Sequence, residues 1–213
     1  MNTDETRDGN PLRAACILAV IVVAAVVLSL CCVGCAAAMP GPAAPARWVQ
    51  NGPVAVFADP AMPPAHRAAV DAAVEEIDAA CQCRLLLRPQ TGAPILRQEV
   101  PGAPDRGTIY VRDDGRFNPT HASTYLYLLP DGRILSAEIA LPLEGVAPDG
   151  VRARPLSSYE LLVAALHEIG HAVGMPHSTD PWSVFYPSSN PRIIQRITPV
   201  DADELRHLYG GKM

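Results

Sequence analysis

The sequence HEIGHAVGMPH, which begins at His167, holds the side chains with the clearest potential for chemistry. His167 and His171 are four positions apart, so on a helix their imidazoles lie on one face and can reach the same ion. Gly174 permits the left-handed backbone conformation that ends helices, and the chain can then bring His177 to the same point. Three neutral imidazoles suit Zn²⁺ and leave a fourth position open for water, as catalysis requires. Glu168 is close enough to that position to act on the water.

Chance is the alternative explanation for such a short pattern. The core motif H-E-x-x-H also occurs on helices of unrelated proteins, where its histidines are surface or core side chains. Here a glycine and a third histidine follow at the required spacing, which makes coincidence much rarer. The segment therefore predicts a zinc site.

The extended pattern resembles the signature of the metzincin metalloproteases, H-E-x-x-H-x-x-G-x-x-H. The residues that follow, HSTDPWSVFYP, are similar to the matrixin branch of that clan. Matrixins carry a turn with a methionine below the zinc, the Met-turn, and here Phe185 takes the place of the methionine in Phe185–Pro187. The resemblance implies a zinc endopeptidase that acts on peptides or proteins, with Glu168 as the general base and Zn²⁺ held by His167, His171 and His177. The alternative is an exported zinc-binding module without turnover, which is motivated by Phe185.

The resemblance also implies the fold class, which is α+β with a five-stranded mixed sheet, three helices and a zinc cleft at the helix that bears the motif. Local patterns agree with it. Apolar runs and turn signals predict strands at 54–57, 84–88, 108–112, 123–129 and 133–141. Helical spacing and capping signals predict helices from Pro63-Pro64 to Cys81, from Ser157 to Val173 and from Pro199 to Tyr209.

Two pairs of residues predict helix caps. Ser157 and Glu160 have the spacing of a capping box at the start of the motif helix. Thr198 and Asp201 have the same arrangement at the last helix. The resemblance implies a second role for Asp201, which is to steady the Met-turn through hydrogen bonds.

The place of the substrate is implied by the resemblance too. We expect an extended peptide to pair by strand addition with the strand that ends near Leu141, at the edge of the cleft. The chain from Pro181 to Arg192 is expected to wall the pocket for the residue after the cut. The candidate pocket residues are Ser136, Ala137, Leu141, Tyr186 and Pro187.

Calcium is a further candidate ligand, because matrixins often carry it. Asp113-Asp114-Gly115 and Asp131-Gly132 could supply carboxylates for Ca²⁺. Acidic residues beside glycine are also typical of ordinary turns, which is the alternative explanation for both segments.

The N-terminal segment differs in composition from the rest of the chain. Residues 14–46 contain no charged side chain, and Cys16–Val33 reaches the lower length of a membrane span. Ala36–Ala38 offers a signal-peptidase site and Cys35 a lipid attachment site, so a helical anchor, a lipid anchor and free secretion all remain open. Each fate exports the domain, with membrane contact through this segment alone. We therefore divide the chain into a signal peptide or anchor (1–38), a Pro/Ala linker (39–46) and a catalytic domain (47–213).

Charge and cysteine content narrow the remaining possibilities. The net charge of −5 gives no reason to expect a nucleic-acid partner, and we expect a monomer. Of the six cysteines, only Cys81 and Cys83 belong to the domain. Two cysteines separated by one residue bridge each other only with strain. We therefore expect a buried thiol at Cys81 and a free or strained partner at Cys83.

Overall fold

A computed structural model describes the part of the chain that carries the motif. The described residues belong to one compact unit, residues 44–213, and are 46–49, 52–87, 89–91, 106–113, 121–146, 153–188 and 193–209. Within these ranges no helix is long and apolar enough to cross a membrane. Residues 1–38 lie outside them, so a signal peptide or anchor there stays a prediction.

Three helices and seven strands make up the described residues. The helices are α1 (Pro64–Cys81), α2 (Ser158–Ala172) and α3 (Pro199–Tyr209). The strands are β1 (Ala55–Ala58), β2 (Gln90–Thr91), β3 (Thr108–Asp113), β4 (Ser123–Leu128), β5 (Ile134–Leu141), β6 (Glu144–Val146) and β7 (Ala153–Pro155).

A mixed sheet of five strands forms the centre of the fold, in the order β2-β1-β3-β5-β4. The first four of these strands are parallel, whereas β4 runs antiparallel to β5. Helix α1 packs against α2 and α3, and α2 contacts β4 and β5. The expected α+β class, with a five-stranded mixed sheet and three helices, is confirmed.

The position of β5 differs from our expectation. We expected a half-buried strand whose end at Leu141 lies at the edge of the cleft. Instead β5 pairs with β3 on one side and with β4 on the other. All its residues are buried except Glu138, which is half-buried. Because both edges of β5 are already paired, β4 is the strand that borders the motif helix and has no partner on its other edge among the described residues.

Helix α1 begins where the sequence indicates and ends at Cys81. Pro64 occupies its first turn, and the apolar positions Val70, Val74 and Ile77 are buried. After Cys81 the chain turns through Gln82, which has a positive φ of 54°. Cys81 and Cys83 are joined by a disulfide. Cys81 is buried as expected, but it is bonded to Cys83 and is not a thiol, because the left-handed turn at Gln82 brings the two sulfurs together.

The segment after α1 also differs from the prediction. We predicted a strand at 84–88, but there Leu86 forms only an isolated bridge to Val54. The backbone N–H groups of Leu85 and Leu86 donate to Oδ1 of Asp78 instead of to a neighbouring strand. The edge strand β2 follows at Gln90–Thr91. The β6–β7 hairpin was not predicted either.

Candidate metal centre

Helix α2 starts with the predicted capping box. The Ser157 hydroxyl accepts a hydrogen bond from the Glu160 backbone N–H at 3.2 Å, and the Glu160 carboxylate accepts one from the Ser157 N–H at 2.9 Å. The Arg154 guanidinium from β7 donates to the same carboxylate. These bonds fix where the helix begins, and hence which face carries His167 and His171.

The three motif histidines converge in space. One ligand nitrogen of each of His167, His171 and His177 lies within 4.8 Å of the others, and they form the one candidate metal cluster among the described residues. Nδ1 of His167 is 2.8 Å from the carbonyl oxygen of Val184, and Nδ1 of His171 is 2.8 Å from that of Met175. These carbonyls set the orientation of the two rings, so that their Nε2 atoms face each other at 2.9 Å.

This arrangement fits a metal cation. A ring whose Nδ1–H donates to a carbonyl has a lone pair on Nε2 when it is neutral. Two such lone pairs at 2.9 Å repel each other unless a positive charge lies between them. A nitrogen donor set of three imidazoles is typical of a catalytic zinc site, and backbone carbonyls on the second nitrogen are typical partners of metal-binding histidines.

The electrostatics of the site agree with neutral ligands. Desolvation lowers the pKa of His167, His171 and His177 below the ordinary histidine value, which favours the neutral imidazole that a metal requires. Desolvation has the opposite effect on Glu168, whose pKa it raises above the ordinary value. A carboxyl group with a raised pKa holds a proton more readily than an ordinary one.

The exit from α2 is held on both sides. Gly174 has a φ of 89°, and a Cβ there would lie 2.0 Å from the carbonyl oxygen of Ala46. The Trp48 indole donates to the carbonyl oxygen of Ala172 at 3.1 Å, and the Tyr209 hydroxyl donates to that of Val173 at 2.7 Å. Glycine is thus required by both the turn and the close approach, and the turn leads the chain to His177.

The Met-turn lies directly beneath the motif. Phe185 is fully buried, and its ring centroid is 6.5 Å from that of His167. Its N–H donates to the Ser183 hydroxyl at 3.0 Å, and that hydroxyl donates to Oδ2 of Asp201 at 2.8 Å. Asp201 also accepts from the N–H and the hydroxyl of Thr198, both at 2.8 Å. The expected link from Asp201 to the Met-turn is therefore present in the structure.

Glu168 has a partner that the sequence did not reveal. Its side chain is 5% exposed, and Oε2 accepts a hydrogen bond from the hydroxyl of Thr124 at 2.6 Å. Thr124 lies on β4, on the face that carries its cross-strand partner Ile139. In the sequence Thr124 is one of several polar residues in a strand-like run, and no local signal distinguishes it.

The candidate pocket residues fall into two groups. Ser136, Ala137 and Leu141 are fully buried within β5, so they offer no surface to a substrate. Tyr186 is half-buried and Pro187 is exposed, directly after Phe185. Nothing local distinguishes a central from an edge strand here, so the sequence pattern pointed to β5 and not to its neighbour β4.

The two candidate calcium segments are only partly described. Asp114 and Gly115 lie outside the described residues. Both carboxylate oxygens of Asp131 accept hydrogen bonds from Arg133, which is the pattern of an ordinary turn at Gly132. Calcium binding therefore stays a prediction.

A sequence comparison decides the family. The sequence model of the matrixin family matches residues 93–210, more than half of the 213-residue chain. The chain belongs to the matrixin family. The match to this family of zinc metalloendopeptidases runs from before β3 to the end of α3, and so includes the three histidines.

Individual relatives match shorter parts of this matrixin. Matrilysin from Felis catus is 43% identical over 53 residues, which are 24% of this chain and 20% of the relative. Metalloendoproteinase 1 from Glycine max is 40% identical over 67 residues, 30% of this chain and 22% of the relative. The matched part thus spans about a fifth of the length of these curated relatives. The solved structure of myroilysin aligns with a TM-score of 0.46 and 14% identity, covering 78% of this chain and 97% of that chain.

Proposed function

We propose that this matrixin is a zinc-dependent endopeptidase. The observation that supports this most strongly is the convergence of three imidazoles whose rings are oriented by backbone carbonyls, with the buried Glu168 on the same helix. His167, His171 and His177 would hold the zinc. When bound, zinc lowers the pKa of a water molecule toward ~7 and stabilises negative charge on a carbonyl oxygen.

Glu168 would move the proton in this reaction. Its carboxylate takes a proton from the attacking water, while the water oxygen forms a bond to the peptide carbonyl carbon. The carboxyl group then gives this proton to the departing amine nitrogen as the C–N bond breaks. Desolvation, which raises the pKa of Glu168, favours the intermediate stage in which the proton resides there.

The substrate would bind along β4. One edge of β4 pairs with β5, and no strand among the described residues pairs with its other edge. An extended peptide can add to that edge by backbone hydrogen bonds, which needs no particular side chain. Because Thr124 of β4 touches Glu168, the added peptide would pass close to the base. Tyr186 and Pro187, which follow the Met-turn, remain candidates for the pocket wall.

The remaining parts of the proposal concern the whole chain. We propose that residues 1–38 export the domain as a signal peptide or anchor, that residues 39–46 are a linker, and that the catalytic domain is monomeric. The acidic turns after β3 and β4 are the candidate positions for calcium. Intact-mass measurement of the mature protein distinguishes helical anchor, lipid anchor and secretion.

A Glu168→Ala variant tests the catalytic part. We expect the purified variant to keep its zinc, because the three ligands are untouched, and to lose cleavage of a mixed peptide library. The matched control is Glu76→Ala on the exposed face of α1, which should cleave like the wild type. Cleavage by Glu168→Ala at the wild-type rate would exclude Glu168 as the base.

The alternative function is a zinc-binding module without turnover. Phe185 at the Met-turn is the observation that motivates it, because the family has methionine there. The peptide library, incubated with and without a chelator, separates the two functions. Cleavage that the chelator abolishes supports the endopeptidase, whereas zinc binding without any cleavage supports the module.

A further inference from the structure

Among the described residues, hydrogen bonds hold the Glu168 carboxylate through one of its two oxygens. Oε2 accepts the hydrogen bond from the Thr124 hydroxyl at 2.6 Å, whereas Oε1 has no hydrogen bond to any residue that the structure describes. Thr124 is also the one described side chain that donates to this carboxylate. One lone pair of Oε2 is thus engaged, whereas Oε1 keeps both of its lone pairs free of the described residues.

Thr124 is itself held in place by the fold. It lies within β4, which is tied to β5 from Ser123 to Leu128. Its hydroxyl is 2.9 Å from the backbone carbonyl oxygen of Glu168, so the strand and helix α2 meet at this point. Since threonine is branched at Cβ, few side-chain rotamers are available to it. The hydroxyl is thus a rigid contact, unlike the end of a longer polar side chain.

We propose that Thr124 is a positioning residue that fixes Oε2 of Glu168 and thereby leaves Oε1 as the oxygen that works as the base. This inference rests on the proposed endopeptidase function. Without the hydroxyl, the carboxylate can rotate about its last bond, and Oε1 spends less time in its working orientation.

The same hydroxyl can serve the carboxyl group after it has taken a proton. When Oε1 has taken a proton, Oε2 still has lone pairs and can keep the hydrogen bond from the Thr124 hydroxyl. Neither state of the carboxyl group requires Thr124 to move.

Three substitutions in the zinc-loaded full-length chain test the proposal by activity. Thr124→Val removes the hydroxyl and keeps the shape, and Thr124→Ser keeps the hydroxyl. Thr91→Val is the matched control, because Thr91 is exposed on β2 at the opposite edge of the sheet. For Thr124→Val we expect kcat to fall about 10- to 100-fold, a size typical of a misplaced catalytic group. KM and zinc content should stay unchanged, Thr124→Ser should stay within about threefold of the wild type, and Thr91→Val should equal it.

A second readout does not depend on activity. Denaturant unfolding is compared for the wild type, Thr124→Val, Glu168→Leu and the double variant. These four proteins form a double-mutant cycle. If the hydroxyl holds the carboxylate, Thr124→Val raises the unfolding equilibrium constant more in the presence of Glu168 than in the Glu168→Leu background, by a factor of about ten.

The outcomes separate this proposal from the proposed function. Equal kcat for wild type and Thr124→Val, or failure of Thr124→Ser to restore kcat, overturns the positioning role. If the wild type cleaves no peptide, the proposed function fails, and the unfolding cycle alone decides whether Thr124 holds Glu168. If the effects of Thr124→Val and Glu168→Leu on unfolding are additive, the two side chains do not interact and the proposal fails.

Discussion

Replacing Gly170 by alanine should disrupt the metal centre from within helix α2. A Cβ at Gly170 would lie 1.9 Å from Cε1 of Phe185, 2.7 Å from Cζ and 2.8 Å from Cδ1. The phenyl ring is fully buried and cannot simply turn aside. Its backbone is held as well, by the Ser183 hydroxyl at the N–H and by the Ser178 N–H at the carbonyl. The Met-turn and the helix must therefore separate to accept the methyl group.

The size of the effect follows from two opposing contributions. Overpacking of a buried site costs about 1–3 kcal/mol, and contacts this short place Gly170→Ala near the upper end of that range. Alanine in place of glycine inside a helix stabilises the helix by about 1 kcal/mol. We therefore expect a net loss of about 2 kcal/mol in the free energy of unfolding. Zinc affinity should fall too, because His167 and His171 flank Gly170 and their ring partners lie in the segments that move.

Denaturant unfolding and zinc titration of four proteins check this prediction. They are the wild type, Gly170→Ala, Phe185→Met and the double variant. A methionine side chain is flexible and can move away from the new methyl group. Gly170→Ala should therefore cost less in the Phe185→Met background than alone. Gly52→Ala is the control, because a Cβ there meets no atom within 4 Å. Unchanged stability of Gly170→Ala, or an equal cost in both backgrounds, would show that the Phe185 ring does not oppose the new methyl group.

Two further predictions concern pH. Hydrogen bonds, first from Arg154 and also from Ser157, lower the pKa of Glu160 from 4.5 to about 2. The ionised carboxylate therefore stabilises the fold fully above pH 4.5, and this contribution is lost as the pH falls toward 2. Glu160→Gln should lower the free energy of unfolding by about 1 kcal/mol at pH 7. In urea unfolding, the difference in stability between variant and wild type should shrink below pH 4.5. A difference that stays constant with pH would contradict this. Burial raises the pKa of Tyr209 from 10 to about 12, so its contribution is complete below pH 10 and is lost as the pH rises through 12. Tyr209→Phe should lower the free energy of unfolding by about 1 kcal/mol at pH 8. Between pH 10 and 12 the variant should lose less stability than the wild type in urea unfolding, and equal losses for the two proteins would contradict this.

Much of the metal centre could be predicted because its information is local. The spacing of His167 and His171 follows from the pitch of a helix, and Gly174 supplies a turn that other residues rarely adopt. The capping box at Ser157 depends only on residues three apart. The start and end of each helix were predictable for the same reason.

The strands were harder to predict, because a strand's role depends on its neighbours. β5 alternates apolar and polar residues like a half-buried strand, yet pairing on both sides buries nearly all of it. The segment at 84–88 has the composition of a strand, but Asp78 takes two of its N–H groups. Sequence composition does not determine which partner a backbone group finds when several are within reach.

The spacing of the three histidines, the position of Glu168 and the helix caps were thus predictable from the sequence, since each arises within a helix or at its end. Only the tertiary structure decided what surrounds them. It places β4 last in the strand order of the described sheet, Thr124 against Glu168, and the Phe185 ring where Gly170 has no side chain. These contacts join residues far apart in the chain, and close packing of the sheet, helix and Met-turn selects them.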